Sequence, residues 1–489
     1  MTSQTTSEKY GSTLNTVLAA MSLLFAGFII LVVPVLVKPY ELVYGKMSMV
    51  DGVKAVLFCA ALSALAGWLV HRTGPDGKFL LRLFLFALLL RVALGTLIFV
   101  MNGQTFFGGD ALTYDFYGWF QLKAWGGDQY AQSLVSLFVG KGEGSGWGML
   151  YVVATIYGIL GHNMLAVQFF NAVLGAATAP LIFLCAQQVY GNTKVARLAA
   201  FAVAFYPSLV LWSSQGLKDA PIVFLLALSI LATLKLGQKL SIKYMIALVI
   251  ALFCLLSLRF YVFYMILAAI GGAFLIGMRE VSARSFVRQF VVVIVLGLSL
   301  TYLGVTRYAN VQMQQYGGLE QVERSRLDAA KSANSGFGRD VDVSTTTGAI
   351  TTIPLGLLYL LFAPFPWQLA SLRQSITLPE MIVWWGSFPM MVLGLWFSIR
   401  YRLRQISPIL VFSIMLSLAY SVFQGNVGTA YRQRAQLLVF YFIFVAVGYV
   451  LMMEKREEKR RIEAAENELA GKANAAAAAR RSSAAAGSN

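Results

Sequence analysis

Two carboxylates stand among aromatic residues in the stretch FFGGDALTYDFYGWF, directly after a long apolar run. A carboxylate can act as a general base on a hydroxyl group, or it can serve only as a solvated loop acid or helix N-cap. Asp110 follows Gly108 and Gly109, which allow close approach of the backbone. Asp115 lies five residues on, about 140° around a helix, so the two acids would not share one face. Asp110 is therefore the first candidate for a base and Asp115 the second.

Charged side chains beside apolar runs are the second group of candidates. Lys218 and Asp219 interrupt the apolar sequence in SSQGLKDAP, and Arg259 in LSLRFYVFY is wedged between two apolar runs. Arg432 and Arg434 in GTAYRQRAQ open the last apolar run. If these runs cross a membrane, charges at their ends are functional candidates, because arginine binds phosphate groups bidentately. The alternatives are snorkelling arginines and, for Asp219, a helix N-cap followed by proline.

Composition places these candidates in a membrane protein. Of 489 residues, 58% are hydrophobic and 12% are charged, which is too apolar for a soluble globular chain. The net charge of +17 comes from short basic clusters between apolar runs, so nucleic acid is not indicated as a partner. The cysteines lie inside apolar runs, without the spacing of a zinc site or a disulfide framework. The loop GKGEGSG lacks the ending of a phosphate-binding loop and fits a flexible hinge.

Apolar runs long enough to cross a hydrocarbon core of about 30 Å, roughly 17 to 25 residues, predict the transmembrane helices. They number twelve, at residues 14–37, 50–70, 80–101, 163–188, 196–214, 220–236, 243–258, 260–278, 287–305, 378–399, 406–424 and 434–453. Two shorter stretches, 149–160 and 353–363, suit re-entrant or interfacial half-helices. The predicted fold class is an all-α polytopic membrane protein with about twelve spans, two half-helices and a large outer loop.

Basic residues assign the two sides of this predicted bundle. With both short stretches taken as half-helices, the basic clusters near residues 72–82, 194–197, 235–243, 279–288, 400–404 and 455–461 fall on one side. The positive-inside rule makes that side the cytoplasm and places both termini there. Residues 102–148, 306–348 and 425–433 then lie outside, and so do Asp110 and the arginines at 432 and 434. We expect His162, in the segment LGHN at the end of the first short stretch, to have a structural role.

The order and spacing of several segments resemble a known group of membrane enzymes. An acidic loop after an in-to-out helix precedes SGWGMLYVVATIYGILGHNMLAVQFFNAVLGAATAPLIFLCAQQVYG, and ARLAAFAVAFYPSLVLWSSQGLKDAPIVFLLALSILATLK follows. This pattern, over about residues 80–235, is similar to the N-terminal module of the GT-C membrane glycosyltransferases. That superfamily includes protein O-mannosyltransferases, the lipid A aminoarabinose transferase and the catalytic oligosaccharyltransferase subunit.

The resemblance implies transfer of a sugar from a polyprenyl-phosphate donor to a glycan, lipid or protein acceptor, among membrane lipids of a bacterial inner membrane. It places the catalytic acid at Asp110 and a carboxylate facing the donor at Asp219. The phosphate is already a leaving group, so one carboxylate and a few cations suffice; we assign the cations to Lys218, Arg259, Arg432 and Arg434. Many relatives have Asp-Glu or Asp-x-Asp where this chain has Asp-Ala, so no cofactor is expected to be required, with Mg²⁺ or Mn²⁺ left possible.

The apolar runs, the polar segments between them and the resemblance over about residues 80–235 together divide the chain. N-terminal helices (1–79) precede a catalytic module (80–236) and further helices (237–305). An outer loop with a proline-broken segment (306–377) follows, then C-terminal helices (378–453) and a largely disordered tail (454–489). Tyr114 and Trp367 are candidates to line the substrate site, although tryptophan at that depth more often anchors the interface.

Two other function classes remain open. A polysaccharide polymerase or ligase, similar to O-antigen polymerase, would depend on the outer arginines acting on a lipid diphosphate more than on Asp110. A transporter of lipid-linked sugars would have inverted repeats and acids at helix centres, and the sequence displays neither.

Overall fold

The computed structural model describes residues 40–42, 45–101, 103–107, 109–139, 146–276, 283–331, 335–338, 341–369 and 372–486. These residues are almost entirely helical, which confirms the predicted all-α polytopic class. The predicted span at 14–37 and most of the glycine-rich hinge at 140–146 lie outside the described residues. A hairpin of two short antiparallel strands, β1 (Tyr40–Leu42) and β2 (Gly45–Met47), precedes the helices.

The helices follow one another with short connections. They are α1 (Met49–His71), α2 (Gly77–Val100), α3 (Asp110–Trp125), α4 (Gln129–Val139), α5 (Trp147–Leu160), α6 (Met164–Tyr190), α7 (Thr193–Phe205), α8 (Pro207–Ser213), α9 (Asp219–Leu236), α10 (Ile242–Leu258), α11 (Phe260–Ile276), α12 (Ala283–Tyr302), α13 (Val305–Tyr316), α14 (Leu319–Lys331), α15 (Thr346–Phe362), α16 (Leu372–Ser375), α17 (Leu378–Phe423), α18 (Val427–Gln433) and α19 (Ala435–Ala486).

Each predicted span in the described part of the chain coincides with one or more of these helices. In that part, α1, α2, α6, α9, α17 and α19 are long and apolar enough to cross a membrane. Helices α7 and α8, bent by 54° at Tyr206, form a further span if taken together. Helices α10, α11 and α12 are also apolar, but their apolar segments, Ile242–Leu258, Phe260–Phe274 and Val287–Tyr302, are shorter than those of the six helices above.

Helix α17 is two spans folded into a hairpin. Its backbone leaves helical geometry at Arg402, where φ is −135° and ψ is 18°. The Trp384 ring lies 6.2 Å from the Tyr441 ring, and the Ser417 hydroxyl is 2.5 Å from the Tyr441 hydroxyl. A straight helix would separate Trp384 and Ser417 by about 50 Å, so the chain must turn back at Arg402. The predicted spans 378–399 and 406–424 are the two arms.

Glycine brings α19 close to the first arm of this hairpin. A Cβ atom at Gly394 would lie 1.9 Å from the Phe444 carbonyl oxygen, and one at Gly448 would lie 1.9 Å from the Met390 carbonyl oxygen. Any larger residue at either position would force the two backbones apart. This contact fixes where α19 begins, and with it the position of α18 just before it.

Helix α5 begins and ends at the same end of the bundle, as the half-helix prediction requires. A tight turn joins α1 to α2, so the start of α1 lies beside the end of α2. The Lys54 ammonium donates to the Leu160 carbonyl at 3.1 Å, and the Asn163 amide donates to the Asp51 carbonyl at 2.7 Å. The other end of α5 lies beside Ser257, near the end of α10.

The second half-helix differs from its prediction. Helix α15 continues through Pro354, and the break comes only at residues 363–365, before a single 3₁₀ turn at Pro366–Gln368. Close packing on α17 holds the helix together, because a Cβ at Gly356 would lie 1.8 Å from the Ser421 carbonyl oxygen. A proline removes one backbone donor, and this packing contact keeps the remaining turns helical.

The basic clusters converge on the opposite end of the bundle. The Arg197 guanidinium contacts the Asp76 carboxylate at 2.7 Å, and the Arg288 guanidinium donates to the Gln238 carbonyl at 3.0 Å. Arg402 lines a cavity of about 380 Å³ with Tyr190 and neighbouring ends of α6 and α9. The structure therefore brings the predicted cytoplasmic segments together at one end.

The C-terminal tail also differs from its prediction. Helix α19 runs to Ala486, where the sequence predicted a largely disordered tail beyond residue 454. Alanine, glutamate, lysine and arginine are strong helix formers, and the pairs Lys459–Glu463 and Lys472–Glu468 have the i, i+4 spacing that supports a helix.

Cysteine labelling tests this two-sided arrangement. An impermeant thiol reagent applied to intact cells should label exposed Gln129→Cys and Thr347→Cys, because both lie at the end that contains Asp110. Arg402→Cys should react only after the cells are permeabilised. The natural cysteines are buried or partly buried, and the unsubstituted protein measures their background. Labelling of Arg402→Cys in intact cells would contradict the topology.

Candidate active site

The first acid stands at the start of α3. Gly109 has a φ of +77°, a left-handed conformation that glycine adopts without strain, and it turns the chain into the helix. Asp110 is the first residue of α3, and half of its side chain is exposed, facing a cavity. The helix N-terminus and the tight turn therefore present this carboxylate at the end of the bundle opposite the basic clusters.

The second acid comes from a break between two helices. Helix α8 ends at Ser213, and α9 begins at Asp219, whose side chain is only 2% exposed. The Asn171 side chain bridges the gap by donating to the carbonyl oxygens of Gln215 and Leu217, each at 2.6 Å. These bonds satisfy the backbone of the break and hold Asp219 in place.

Arg432 joins the two acids. Its Nε and Nη2 atoms donate to Asp219 Oδ2 at 2.8 and 2.5 Å, and its Nη1 atom donates to Asp110 Oδ2. The guanidinium also lies 5.7 Å from the centre of the Trp212 ring. One guanidinium thus bridges carboxylates from α3 and α9, although the three residues are far apart in sequence.

Arg259 approaches Asp219 from the other side. It occupies the extended turn between α10 and α11, and its Nη2 atom is 3.7 Å from Asp219 Oδ1. Both Asp219 Oδ1 and Arg259 Nη1 are buried without a hydrogen-bond partner among the described residues. A buried guanidinium nitrogen without an acceptor is a costly arrangement that a bound anion would relieve.

These side chains line one cavity of about 680 Å³. Its described lining has one acid, Asp110, against four basic side chains, Lys218, Arg259, Arg373 and Arg432. Asp219 lies buried behind it, paired with Arg432. Burial and then the charge of Arg259 lower the pKa of Lys218 to about 7, with Asp219 acting in the opposite direction. Positive charge exceeds negative charge in this cavity, so its electrostatics favour an anion.

Sequence reasoning missed part of the lining. Arg373 comes from the short helix α16, and Asn426 and Gln433 come from the segment around α18. Asn426 also accepts a hydrogen bond from Ser335 at 2.8 Å, and Gly336 forms a β-bridge with it. The outer loop thus docks on the segment that carries Arg432. The only sequence signal for these residues was their position in the predicted outer segments, 306–377 and 425–433.

Asp115 does not face this cavity. Its Oδ1 atom accepts a hydrogen bond from the Tyr157 hydroxyl and lies 2.9 Å from His162 Nε2. The carboxylate is 8% exposed and ties α3 to α5 and to the turn before α6. The prediction that Asp115 is a second catalytic acid is therefore not supported by its position, whereas the structural role expected for His162 agrees with it.

Arg434 is also directed away from the cavity. It is fully buried, and its Nη1 atom donates to the carbonyl oxygens of Leu361 and Ala363 at 3.0 and 3.1 Å. These oxygens belong to the end of α15, where proline ends the helix and leaves acceptors unpaired. Arg434 caps this helix end and lies outside the described lining of the cavity, and its predicted role in donor binding stays a prediction.

The two aromatic candidates have different positions. Tyr114 is buried and lines the cavity one turn after Asp110. Trp367 is 77% exposed and stacks on Phe365 with ring centres 5.2 Å apart, outside the described lining of the cavity. Its position fits interfacial anchoring, the alternative role considered from the sequence.

The donor set at the cavity is a poor match for Mg²⁺ or Mn²⁺. Such ions take several oxygen ligands. In the part of the chain that the structure describes, no group of three or more acidic, histidine or cysteine side chains could hold a metal ion. Arg432 already occupies Oδ2 of both Asp110 and Asp219. A divalent ion between these acids would have to displace a guanidinium.

Comparison with known proteins supports the resemblance noted in the sequence. Residues 146–303 match the family model of dolichyl-phosphate-mannose-protein mannosyltransferases. The matched region includes Lys218, Asp219 and Arg259, and where it overlaps the predicted region, over residues 146–235, it confirms the resemblance to GT-C membrane glycosyltransferases. No curated protein matches the chain.

Two solved structures from Archaeoglobus fulgidus are similar. One is the oligosaccharyltransferase AglB in complex with an inhibitory peptide and a dolichol-phosphate, with 17% identity over 66% of this chain and a TM-score of 0.38. The other is an oligosaccharyltransferase in the apo form, with 15% identity over 65% of this chain and a TM-score of 0.38. The chain spans 44% of the length of each.

Replacing Arg434 tests its structural role. Arg434→Ala should lower the free energy of unfolding by at least about 2 kcal/mol, because a hydrogen bond to a charged group contributes roughly 1.5 to 3 kcal/mol. Thermal unfolding of the purified protein in detergent measures the change. Arg373→Ala, an exposed arginine of the same cavity region, should unfold as the unchanged protein does. Wild-type stability of Arg434→Ala together with lost binding of a lipid phosphate would restore the predicted donor contact.

Proposed function

We propose that this chain is a membrane glycosyltransferase that moves a sugar from a polyprenyl-phosphate donor to an acceptor hydroxyl at the outer cavity. The observation that carries the proposal is the bridge in which Arg432 holds Asp110 and Asp219 together beside Arg259 and Lys218. A cationic cavity with one accessible carboxylate has the two groups that the reaction needs. We place the enzyme in a bacterial inner membrane, in synthesis of cell-envelope glycans or exopolysaccharide.

Asp110 acts as the general base. Its Oδ2 atom is engaged by Arg432, and its side chain is half exposed, so Oδ1 can reach the hydroxyl of a bound acceptor. Oδ1 takes the hydroxyl proton as the acceptor oxygen forms a bond to the anomeric carbon of the sugar. Arg432 keeps this carboxylate in one orientation and so reduces the entropic cost of aligning it.

The cations stabilise the leaving group. As the bond between the anomeric carbon and the phosphate oxygen breaks, its electron pair stays on the polyprenyl phosphate. Arg259 and Lys218 lie beside the bridge, where they can bind this growing negative charge. Arg259 Nη1 has no hydrogen-bond partner among the described residues and can donate to such an oxygen. Asp219 holds Arg259 and Arg432 in place, and its effect on the leaving group is exerted through these two arginines.

The family match supports the donor class. Its residues, 146–303, supply Lys218, Asp219 and Arg259, and the matched family is described by a lipid-phosphate-linked mannose donor. Asp110 and Arg432 come from outside the matched region, so their roles rest on the geometry of the cavity alone.

Asp110→Asn tests the proposed base. The substitution keeps the size of the side chain and removes the proton acceptor, so sugar transfer should fall by a factor of about 10² to 10⁴ while donor binding persists. Transfer of labelled sugar from polyprenyl phosphate is the measurement. Asp115→Asn is the matched variant: it should reduce thermal stability and retain turnover in the folded fraction. Near-wild-type turnover by Asp110→Asn would reject this mechanism and favour the arginine-dependent polymerase.

The pKa of Lys218 predicts how donor affinity depends on pH. In the free protein this pKa is about 7, so the ammonium is present below pH 7 and is lost above it. A phosphodiester keeps one negative charge throughout this range. Donor affinity should therefore fall between pH 7 and pH 8, by at most about tenfold, the limit for loss of one proton. Titration of the donor into the purified protein measures it. Lys218→Met should bind weakly at both pH values, and a persistent slope in that variant would exclude Lys218.

We further propose that Arg432 supplies the positive charge between the acids and that no divalent ion is required. Sugar transfer should then continue in EDTA, because a chelator removes metal ions and leaves the Arg432 guanidinium between the two acids. The assay compares turnover with EDTA, with EDTA plus excess Mg²⁺, and with EDTA plus excess Mn²⁺. Loss of turnover in EDTA that either ion restores would reverse the proposal.

A further inference from the structure

A second cavity of about 540 Å³ lies beside the first, at the outer end of the bundle. Its walls come from α3, α4, α5 and α13. The described lining contains four aromatic residues, three neutral polar residues and three small apolar ones: Trp125, Trp147, Tyr151, Tyr308, Gln121, Gln132, Ser136, Ala124, Val135 and Val139. None of the described lining residues has a charged side chain. The cavity around Arg432 is cationic, whereas the described lining of this second cavity is uncharged.

The two cavities adjoin. Gly146 faces the first one, since a Cβ atom there would lie 3.4 Å from Lys218 Nζ, and the next residue, Trp147, lines the second. Helix α3 also connects them, with Asp110 at its start and Gln121 about 16 Å further along the axis. A molecule with one end at Asp110 could therefore extend along α3 into the second cavity.

The aromatic residues of the wall contact one another and are partly exposed. The Trp147 indole donates a hydrogen bond to the Tyr308 hydroxyl at 3.1 Å, and its ring lies 4.8 Å from the Tyr151 ring. Tyr151 also contacts Trp125, with ring centres 5.2 Å apart. Trp125 remains 49% exposed and Tyr151 42% exposed. A ligand would find aromatic faces that are already fixed in position.

We propose that this second cavity binds a neutral saccharide segment of the acceptor, a site that rests on the proposed glycosyltransferase function. Sugar rings present C–H faces that pack on aromatic rings and hydroxyl groups that bond to amides, and this lining offers both. A polyprenyl chain would leave the Gln121 amide against hydrocarbon without a partner among the described residues, which is unfavourable. The absence of a charged side chain from the described lining favours neutral over acidic sugars.

Direct binding to purified protein tests this site without catalysis. The probes are linear hexasaccharides of neutral hexoses and of uronic acids, followed by saturation-transfer NMR on the full chain in detergent. We expect the neutral probe to bind more tightly than the acidic one. Trp125→Ala should weaken neutral binding by about two- to tenfold, the range for loss of one aromatic contact. Trp68→Ala is the control, because Trp68 is 50% exposed and lies on α1, outside the described lining.

Gln121→Leu provides a second variant if Trp125→Ala does not fold, and it should also weaken neutral binding. Absence of neutral binding, or binding that neither variant changes, would overturn the proposal. Displacement of the sugar by a sugar-free polyprenol would assign the cavity to lipid instead, and displacement by a neutral peptide would assign it to protein. Probe binding is measured without sugar transfer, so failure of the proposed chemistry and failure of this site are separate results.

Discussion

The site depends on one guanidinium shared by two carboxylates. Arg432 lies just before the last membrane helix, while Asp110 and Asp219 begin α3 and α9. Asp219 is almost completely buried, and a buried charge left without its partner costs several kcal/mol. The bridge therefore stabilises the protein only if all three helix ends converge. The α17 hairpin and its close packing with α19 help to place the segment that carries Arg432.

Buried arginines also keep two interrupted helices in place around the bridge. Arg91 donates from Nη1 to the Ala204 carbonyl at 2.7 Å and from Nε to the Ser213 hydroxyl at 2.8 Å, next to the bend between α7 and α8. Arg434 does the same for the end of α15. In both cases a proline follows the break, and the guanidinium replaces backbone donors that the helix has lost. The two arginines therefore stabilise the breaks.

Sequence patterns predicted much of this arrangement. Apolar run lengths located the described spans. The unusual charges at 110, 218, 259 and 432 line one cavity, and Asp219 pairs with Arg432 beside it. Asp115 and Arg434 could not be separated from them, because their types and sequence contexts match those of real site residues. Only tertiary packing directs Asp115 towards Tyr157 and Arg434 towards the end of α15. The continuous helix through Pro354 was missed for a similar reason, since its packing at Gly356 involves a residue distant in sequence.

The most direct measurement of the central claim is an experimental structure of the protein with a polyprenyl phosphate bound. The account predicts phosphate density in the cavity of Asp110, within hydrogen-bond distance of Arg259 and Arg432, with the lipid chain leaving towards the membrane. It also predicts that Arg432 still contacts Asp219 and that Arg434 stays on α15. Phosphate bound at the opposite end, near Arg402, or a cavity in which Asp110 and Asp219 lie apart without Arg432 between them, would contradict it.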